Sequence, residues 1–358
     1  GINMPLVDNT GLPSYRRLRE EGMEVLEKNR AQEQDIRELH IGLLNMMPDA
    51  ALEPTERQFL RLIDSCNRIA QFYIYPFSPV VIPRGDGARR HIDQYYFEFD
   101  VLQEKGLDAL IISGANPISL RLEDESFWDP LGQVLDWANE HVTSTLCACL
   151  ATHAALKIFH GLDRQPLGFK RWGVFPHRPV DRTHPLVRDV NTRFDVPHSR
   201  FNEIYSSDMR AAGLRVLIES DRAGVHLATS ADGFRFVYFQ GHPEYDAVSL
   251  LKEYKREVVR FLNGDIADYP PFPDGYFSDE ASELLEAYRL RAMGPTASKI
   301  LIEEFPEKIL STLVDNTWRD TGKAVFNNWL GTVYQITDRD PRVPFMKGVD
   351  PSNPLAHL

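Results

Sequence analysis

Ser144-Thr-Leu-Cys147-Ala-Cys149-Leu-Ala-Thr-His153-Ala-Ala-Leu-Lys157 is the stretch whose reading decides the fold. From Val142 to Ala148 the residues are β-branched and apolar, as in a strand, and beyond them Leu150, Ala154, Leu156 and Phe159 fall on one face of a helix. Cys149 stands where the two meet. A nucleophile at a sharp strand-to-helix turn is held out from the edge of a sheet, and the first backbone N–H groups of the helix, beginning at Leu150, lie beside it. The partial positive charge of a helix N-terminus also favours a thiolate over a thiol. The competing reading is a pair of buried cysteines in an ordinary core, because alternation puts Cys147 and Cys149 on the same side of the strand. The helix start singles out Cys149.

Outward from this junction the same succession recurs. His40 to Met46 reads as a strand, followed by Met47-Pro48-Asp49 and a helix over Glu56 to Ser65; Ile69 to Tyr75 reads as the next strand. A loop with Pro79, Pro83, Gly85 and Gly87 leads into helical sequence ending near Gly106. Asp108 to Ser113 is apolar on both faces, as in a parallel sheet, and runs into Gly114-Ala115-Asn-Pro117 before a helix over Leu131 to His141. Strand, turn and helix in repetition predict an α/β fold with a doubly wound, mostly parallel sheet, in which ligands gather at the carboxyl ends of the strands. Beyond Trp172 a meander is expected from Leu214 to Glu219, Val225 to Thr229 and Phe234 to Phe239, ending in Gln240-Gly-His242-Pro-Glu244-Tyr-Asp246 and a helix over Val248 to Leu262. Pro270, Pro271 and Pro273 then break the chain; helices follow over Ser278 to Ala292 and, interrupted at Pro306, over Ala297 to Asn316, before the aromatic-rich stretch Phe326 to Ile336. The expected division is an N-terminal arm over 1–36, lying on the surface or on a partner subunit, a catalytic core over 37–265, and a helical extension over 266–358 packed on it.

Composition narrows the function classes. With 43% hydrophobic and 26% charged residues among 358, the chain reads as an ordinary globular protein. A net charge of −12 argues against a protein that coats nucleic acid. No apolar run approaches the roughly 20 residues that span a bilayer, and Gly1-Ile-Asn-Met4-Pro-Leu-Val-Asp lacks the basic and apolar segments of a secretory signal. Three cysteines, Cys66, Cys147 and Cys149, form no disulfide framework, so a reducing, cytoplasmic setting is expected. The Cys-x-Cys pair has no matching Cys/His pair elsewhere, and no metal is expected.

The three strand ends supply parts of one catalyst. Cys149 reads as nucleophile, His242 as base and Glu244 as the group that orients the imidazole and stabilises its protonated form. In an extended segment His242 and Glu244, two residues apart, point the same way. Gly114 and Ala115 would bring backbone N–H groups to a developing oxyanion. A buried histidine bonded to a carboxylate is common in ordinary cores; the three elements on one predicted sheet edge favour catalysis over that reading.

Cys149-Leu-Ala-Thr-His-Ala-Ala-Leu and Gly241-His242-Pro-Glu244-Tyr-Asp246 together resemble the homoserine O-succinyltransferase family, whose fold is similar to class I glutamine amidotransferases. Leu43-Leu-Asn-Met-Met-Pro48, Thr55-Glu-Arg-Gln-Phe-Leu-Arg-Leu62, Val196-Pro-His-Ser199-Arg200, Phe326-Asn-Asn-Trp-Leu330 and Val333-Tyr-Gln-Ile-Thr337 extend the resemblance over most of the chain. It implies an enzyme of methionine biosynthesis that moves a succinyl or acetyl group from acyl-CoA to the hydroxyl of L-homoserine by ping-pong kinetics. Cys149 would carry the acyl group as a thioester, and His242, with Glu244, would deprotonate the thiol and later the acceptor. The resemblance also implies Lys170 and Ser199 as substrate-binding residues and Arg256 as the group that holds the acceptor's carboxylate, for which a guanidinium fork is suited. By residue type alone, Lys170 and Arg256 read as solvated surface charges. Acyl-CoA, whether acetyl-CoA or succinyl-CoA, is a co-substrate, and no permanently bound cofactor is implied.

Departures from the family pattern shape further expectations. The acyl-selectivity position corresponds to Ile118, where glycine accompanies succinyl transfer and glutamate acetyl transfer; a branched side chain there leans the expectation toward acetyl. Asp49-Ala50 stands where members often carry lysine, and the stretch from about Gly275 to Leu313 is longer than the family norm. Arg84, Arg89, Arg90, His91, Lys157 and Arg164 are candidates to meet CoA phosphates. Serine as acceptor, a glutamine-hydrolysing amidotransferase-like enzyme and a non-catalytic ligand-binding relative are the alternatives, and a homodimer sharing the N-terminal arm is a further expectation.

Overall fold

The computed structural model describes residues 6–32, 36–66, 70–356 and 358. Eleven strands form a single sheet: β1 (Leu6–Asp8), β2 (Leu26–Glu27), β3 (Glu38–Met46), β4 (Gln71–Phe77), β5 (Ala109–Ala115), β6 (Ser144–Ala148), β7 (Gln165–Pro179), β8 (Phe194–Glu203), β9 (Arg215–Ser220), β10 (Gly224–Thr229) and β11 (Phe236–Phe239), in the order β2-β1-β4-β3-β5-β6-β11-β10-β9-β7-β8. Pairings from β2 across to β11 are parallel. Those from β11 to β8 are antiparallel.

The central strands are apolar on both faces because both faces are covered. Ile41, Leu43, Ile111 and Leu146 pack with Phe59, Leu60 and Ile63 of the helix Asp49–Asp64 and with Phe326, Trp329 and Val333 of the helix Arg319–Ile336. The alternate residues Leu44, Leu110, Ile112 and Cys147 pack with helices Trp128–His141 and Leu150–His160 on the other side. Strand alternation therefore sorts one sheet into two cores, the doubly wound arrangement expected. Since β3, β5, β6 and β11 are parallel neighbours, their carboxyl ends line up along one edge, and Met47, Gly114, Cys149 and Gln240 meet there.

Several elements differ from the sequence reading. The N-terminal segment contributes strands: β1 lies beside β4 with Leu6 and Val7 fully buried, while Tyr15 and Leu18 of the helix Pro13–Glu20 enter the core. The helix expected from Glu56 begins at Asp49 and carries Pro54 inside it; burial of Leu52, Phe59, Leu60, Leu62 and Ile63 outweighs the backbone bond the proline removes. Of the strand expected from Ile69 to Tyr75, Ile69 lies outside the described residues. The β7–β8 hairpin was not among the expected strands. The stretch 275–313 folds into helices Asp279–Ala292, Ser298–Glu303 and Glu307–Leu313, whose Leu285, Tyr288, Leu301 and Leu310 surround Leu250, Tyr254 and Val258 of the helix Ser249–Leu262. It buttresses the helix that carries Arg256. Among the described residues no helix is long and apolar enough to cross a membrane.

Candidate active site

Cys149 occupies a backbone conformation with φ 49° and ψ −104°, immediately before the helix Leu150–His160. Positive φ in a residue with a side chain costs on the order of 1–3 kcal/mol and persists only where its surroundings enforce it. Here the enforcing bonds are visible. The Cys149 N–H donates to the Phe239 carbonyl at 2.8 Å, continuing the β6–β11 ladder by one residue. Thr152 Oγ1 lies 3.0 Å from the Cys147 carbonyl and 2.8 Å from that of Phe239, closing the turn from the helix side. The thiol of Cys149 is thereby lifted off the sheet and left partly exposed, whereas Cys147 is fully buried in the core. Burial drives the Cys147 thiol far up from its ordinary pKa, so it stays protonated and inert.

His242 Nδ1 bonds Glu244 Oε1 at 2.7 Å, and the imidazole also bonds the Cys149 side chain. Burial works against the imidazolium; the Glu244 carboxylate and then the Cys149 thiolate outweigh it and hold His242 well above its ordinary pKa. A cationic imidazole is thus held beside the Cys149 side chain. The two residues meet for a reason other than strand alternation. β11 ends at Phe239, and residues 242–245 form a turn in which the Tyr245 N–H donates to the His242 carbonyl at 3.1 Å. Gly241 is required at the turn's approach: a Cβ there would lie 2.6 Å from Val196 Cγ1 and 2.8 Å from His226 Nδ1.

Gly114 and Ala115 are the last residues of β5 rather than a separate turn, with Ala115 paired to Met46. A Cβ at Gly114 would sit 3.9 Å from the Ala148 carbonyl and 3.7 Å from Met47 Sδ, so this strand end borders the end of β6 that leads into Cys149. Leu150 opens the helix, and its N–H is among those without an intrahelical acceptor.

Lys170 of β7 and Ser199 of β8 converge on Glu253, a residue that sequence reasoning had missed, and Arg256 lies one turn further along the same helix, Ser249–Leu262. Ser199 Oγ donates to Glu253 Oε1 at 2.5 Å, Lys170 Nζ lies 3.8 Å from the same oxygen, and the Tyr245 hydroxyl bonds Glu253 as well. The Tyr245 ring stacks on His242 with centroids 4.4 Å apart, so the Glu253 cluster is one ring away from that imidazole. Lys170 Nζ also stands 4.1 Å from the centre of the Trp172 ring. Burial, with Arg256 and Arg260 adding to it, lowers the Lys170 pKa against the pull of Glu253 and Glu257. Arg256 itself is exposed and available. The spacing of Glu253 and Arg256, three apart on one helix face, is the signal that could have found Glu253.

Ile118 does not enter this site. Its N–H and that of Ser119 donate to Glu125 Oε1 at 2.8 and 2.7 Å, which turns the Ile118 side chain outward at 86% exposure. It narrows no acyl pocket, and the reason for expecting acetyl falls away. Asp49, where lysine was expected, accepts from the Gly85 N–H at 2.7 Å and from Arg84, which also donates to the Met47 carbonyl. This latch ties the loop over residues 78–87 to the Met47 end of the site. Arg84 is consumed by it, His91 bonds Glu56 at 2.8 Å and Lys157 bonds Asp163 at 2.5 Å, so three of the six expected basic residues are already engaged with carboxylates.

Residues 5–339 match the model of a family described as homoserine O-succinyltransferase. The chain belongs to that family. It is 59% identical to the homoserine O-succinyltransferase of Methylococcus capsulatus over 352 residues, 98% of this chain and 99% of that one. The homoserine O-succinyltransferase of Methylobacter tundripaludum is 58% identical, with the same shares covered. A solved glutamine amidotransferase from Methylobacillus flagellatus is similar over 83% of this chain and 95% of that one, at 13% identity and a TM-score of 0.42. Family membership makes the chain an acyltransferase that acts on homoserine, as the resemblance implied.

Proposed function

We propose that the chain transfers a succinyl group from succinyl-CoA to the hydroxyl of L-homoserine through a thioester on Cys149. The arrangement of Cys149, His242 and Glu244 carries this reading: a strained, partly exposed thiol bonded to a buried imidazole whose other nitrogen is held by a carboxylate. Because Nδ1 faces Glu244, Nε2 faces the nucleophile. The Cys149 thiolate attacks the thioester carbonyl, and the oxyanion forms beside Gly114 and the Leu150 N–H. The bond to sulfur of CoA breaks, the departing thiolate takes the proton from His242, and succinyl-Cys149 remains. His242 Nε2 then removes the proton of the homoserine hydroxyl as its oxygen attacks the acyl carbon; the Cys149–acyl bond breaks, and O-succinylhomoserine leaves with the thiolate–imidazolium pair restored.

The acceptor is an amino acid, and the Glu253 cluster matches its two charges: Arg256 for the carboxylate and Glu253 for the ammonium. Succinyl is preferred over acetyl because the outward Ile118 leaves the acyl space open and the similar enzymes carry the succinyl name. The test is a substrate matrix, acetyl-CoA and succinyl-CoA against homoserine and serine, run on the wild type, Cys149→Ala and Cys147→Ala. Expected are parallel double-reciprocal lines, a succinyl adduct on Cys149 by mass spectrometry, and loss of activity only in Cys149→Ala. Intersecting lines without an adduct would end the covalent mechanism; a preference for acetyl-CoA or serine would end the substrate assignment.

A further inference from the structure

Gln240 is the last residue before Gly241-His242 and is fully buried. Its amide is directionally determined by backbone groups. Oε1 accepts from the Ile204 N–H at 3.0 Å, while Nε2 donates to the carbonyls of Ile204 at 3.2 Å and Val225 at 2.9 Å. Carbonyl oxygens cannot donate, so the amide has one orientation. The remaining partner of Oε1 is His153 Nε2 at 2.7 Å. An amide oxygen only accepts, so His153 carries its proton on Nε2.

His153 is 2% exposed and lies one turn beyond Cys149, its N–H directed at the Cys149 carbonyl at 3.3 Å. Together with Thr152 it makes a register: Thr152 holds Phe239 and His153 holds Gln240, two successive residues of the nucleophile's helix against two successive residues of the base's strand. Burial keeps the His153 imidazole neutral, with its pKa pushed down to about 3, so its single proton sits on Nε2 and no charge is buried beside Gln240.

We propose that His153, acting through Gln240, is a positioning residue that sets the separation of Cys149 from His242. The inference rests on the assignment of Cys149 as nucleophile and His242 as base. A Gln amide nitrogen at position 153 reaches about where imidazole Nε2 lies, whereas an Asn amide nitrogen reaches only the position of Nδ1. His153→Gln therefore keeps the donor to Gln240 and His153→Asn loses it. His153→Met fills the imidazole's space without a donor and leaves Gln240 Oε1 bonded to Ile204.

The full-length enzyme is alkylated with iodoacetamide across pH, with the Cys149 adduct followed by mass spectrometry, beside steady-state kinetics on succinyl-CoA and homoserine. In His153→Asn and His153→Met the acid limb of alkylation is expected to move by about one pH unit from the wild type's, and kcat to fall about tenfold or more with both KM values within about twofold. His153→Gln is expected to follow the wild type. Wild-type profiles in both donor-less variants, or a shift in the Gln variant as large as in the Asn variant, would overturn the proposal. If one donor-less variant fails to fold, the other decides. An active Cys149→Ala enzyme would instead sink the nucleophile assignment, whereas an inactive Cys149→Ala beside a wild-type limb in the donor-less variants sinks only the positioning role.

Discussion

Glu244→Gln keeps the volume of the side chain that orients the base and removes its charge. Glu244 Oε1 lies 2.7 Å from His242 Nδ1, and the two residues are 7% and 9% exposed. With charge centres about 4 Å apart and an effective dielectric of about 20, the carboxylate favours the imidazolium by about 4 kcal/mol. The Gln carbonyl still accepts the Nδ1 proton, so the tautomer survives and a neutral bond worth about 1 kcal/mol remains. The difference of about 3 kcal/mol corresponds to a fall in kcat on the order of 10²-fold. Because Glu244 is the leading cause that raises His242, its loss lowers the imidazole's pKa, and the imidazolium that protonates departing CoA disappears at a lower pH. Release of CoA thiol at saturating homoserine, followed from neutral to alkaline pH, should show both the rate loss and a downward move of the alkaline limb in kcat/KM for succinyl-CoA. A rate within tenfold of wild type with an unmoved limb, or a loss confined to KM for homoserine, would refute the reasoning.

Glu253→Gln should raise KM for homoserine about 10- to 100-fold, the value of a bond to a charged group, and leave KM for succinyl-CoA nearly unchanged; a change confined to the donor would remove Glu253 from the acceptor site. Gly241→Ala drives a Cβ into Val196 and His226 at 2.6 and 2.8 Å, so a stability loss of about 1–3 kcal/mol by denaturant melt and a larger loss of kcat are expected; an unaltered melt and rate would mean that the turn gives freely. Burial lowers His40 and His177 to about 4 and His153 to about 3, below their ordinary value of 6.5. Folded-state pKa values below the unfolded ones mean stability that is complete above pH 6.5 and is lost as pH falls toward 4, on the order of 3 kcal/mol for each such histidine. Thermal melts from neutral pH down to that range should show the decline, and a flat melting temperature would contradict it.

The strand-to-helix junction at Cys149 was legible because hydrophobic period changes from strand to helix within a few residues, and both element types write that period locally. The His242-x-Glu244 pairing was legible by spacing, although a turn produces the contact that alternation had been expected to give. Ile118 misled for a physical reason: residue type predicts bulk, but Glu125, bonding two consecutive N–H groups, decides which way that bulk points. Asp49 looked like a missing lysine and is a latch only because Arg84 and Gly85 are brought to it by the fold.

By itself, then, the order of residues determined the α/β class, the two-sided burial of the central strands and the placing of Cys149 and His242 just beyond two strand ends. Tertiary structure alone decided the positive φ of Cys149, the place of β1 and β2 in the sheet, the meeting of Ser199 with Glu253 across 54 residues and that of His153 with Gln240 across 87. Periodicity records whether a residue faces inward along its own element. Which distant partner it faces depends on strand order and register, and these follow from the packing of all the elements together.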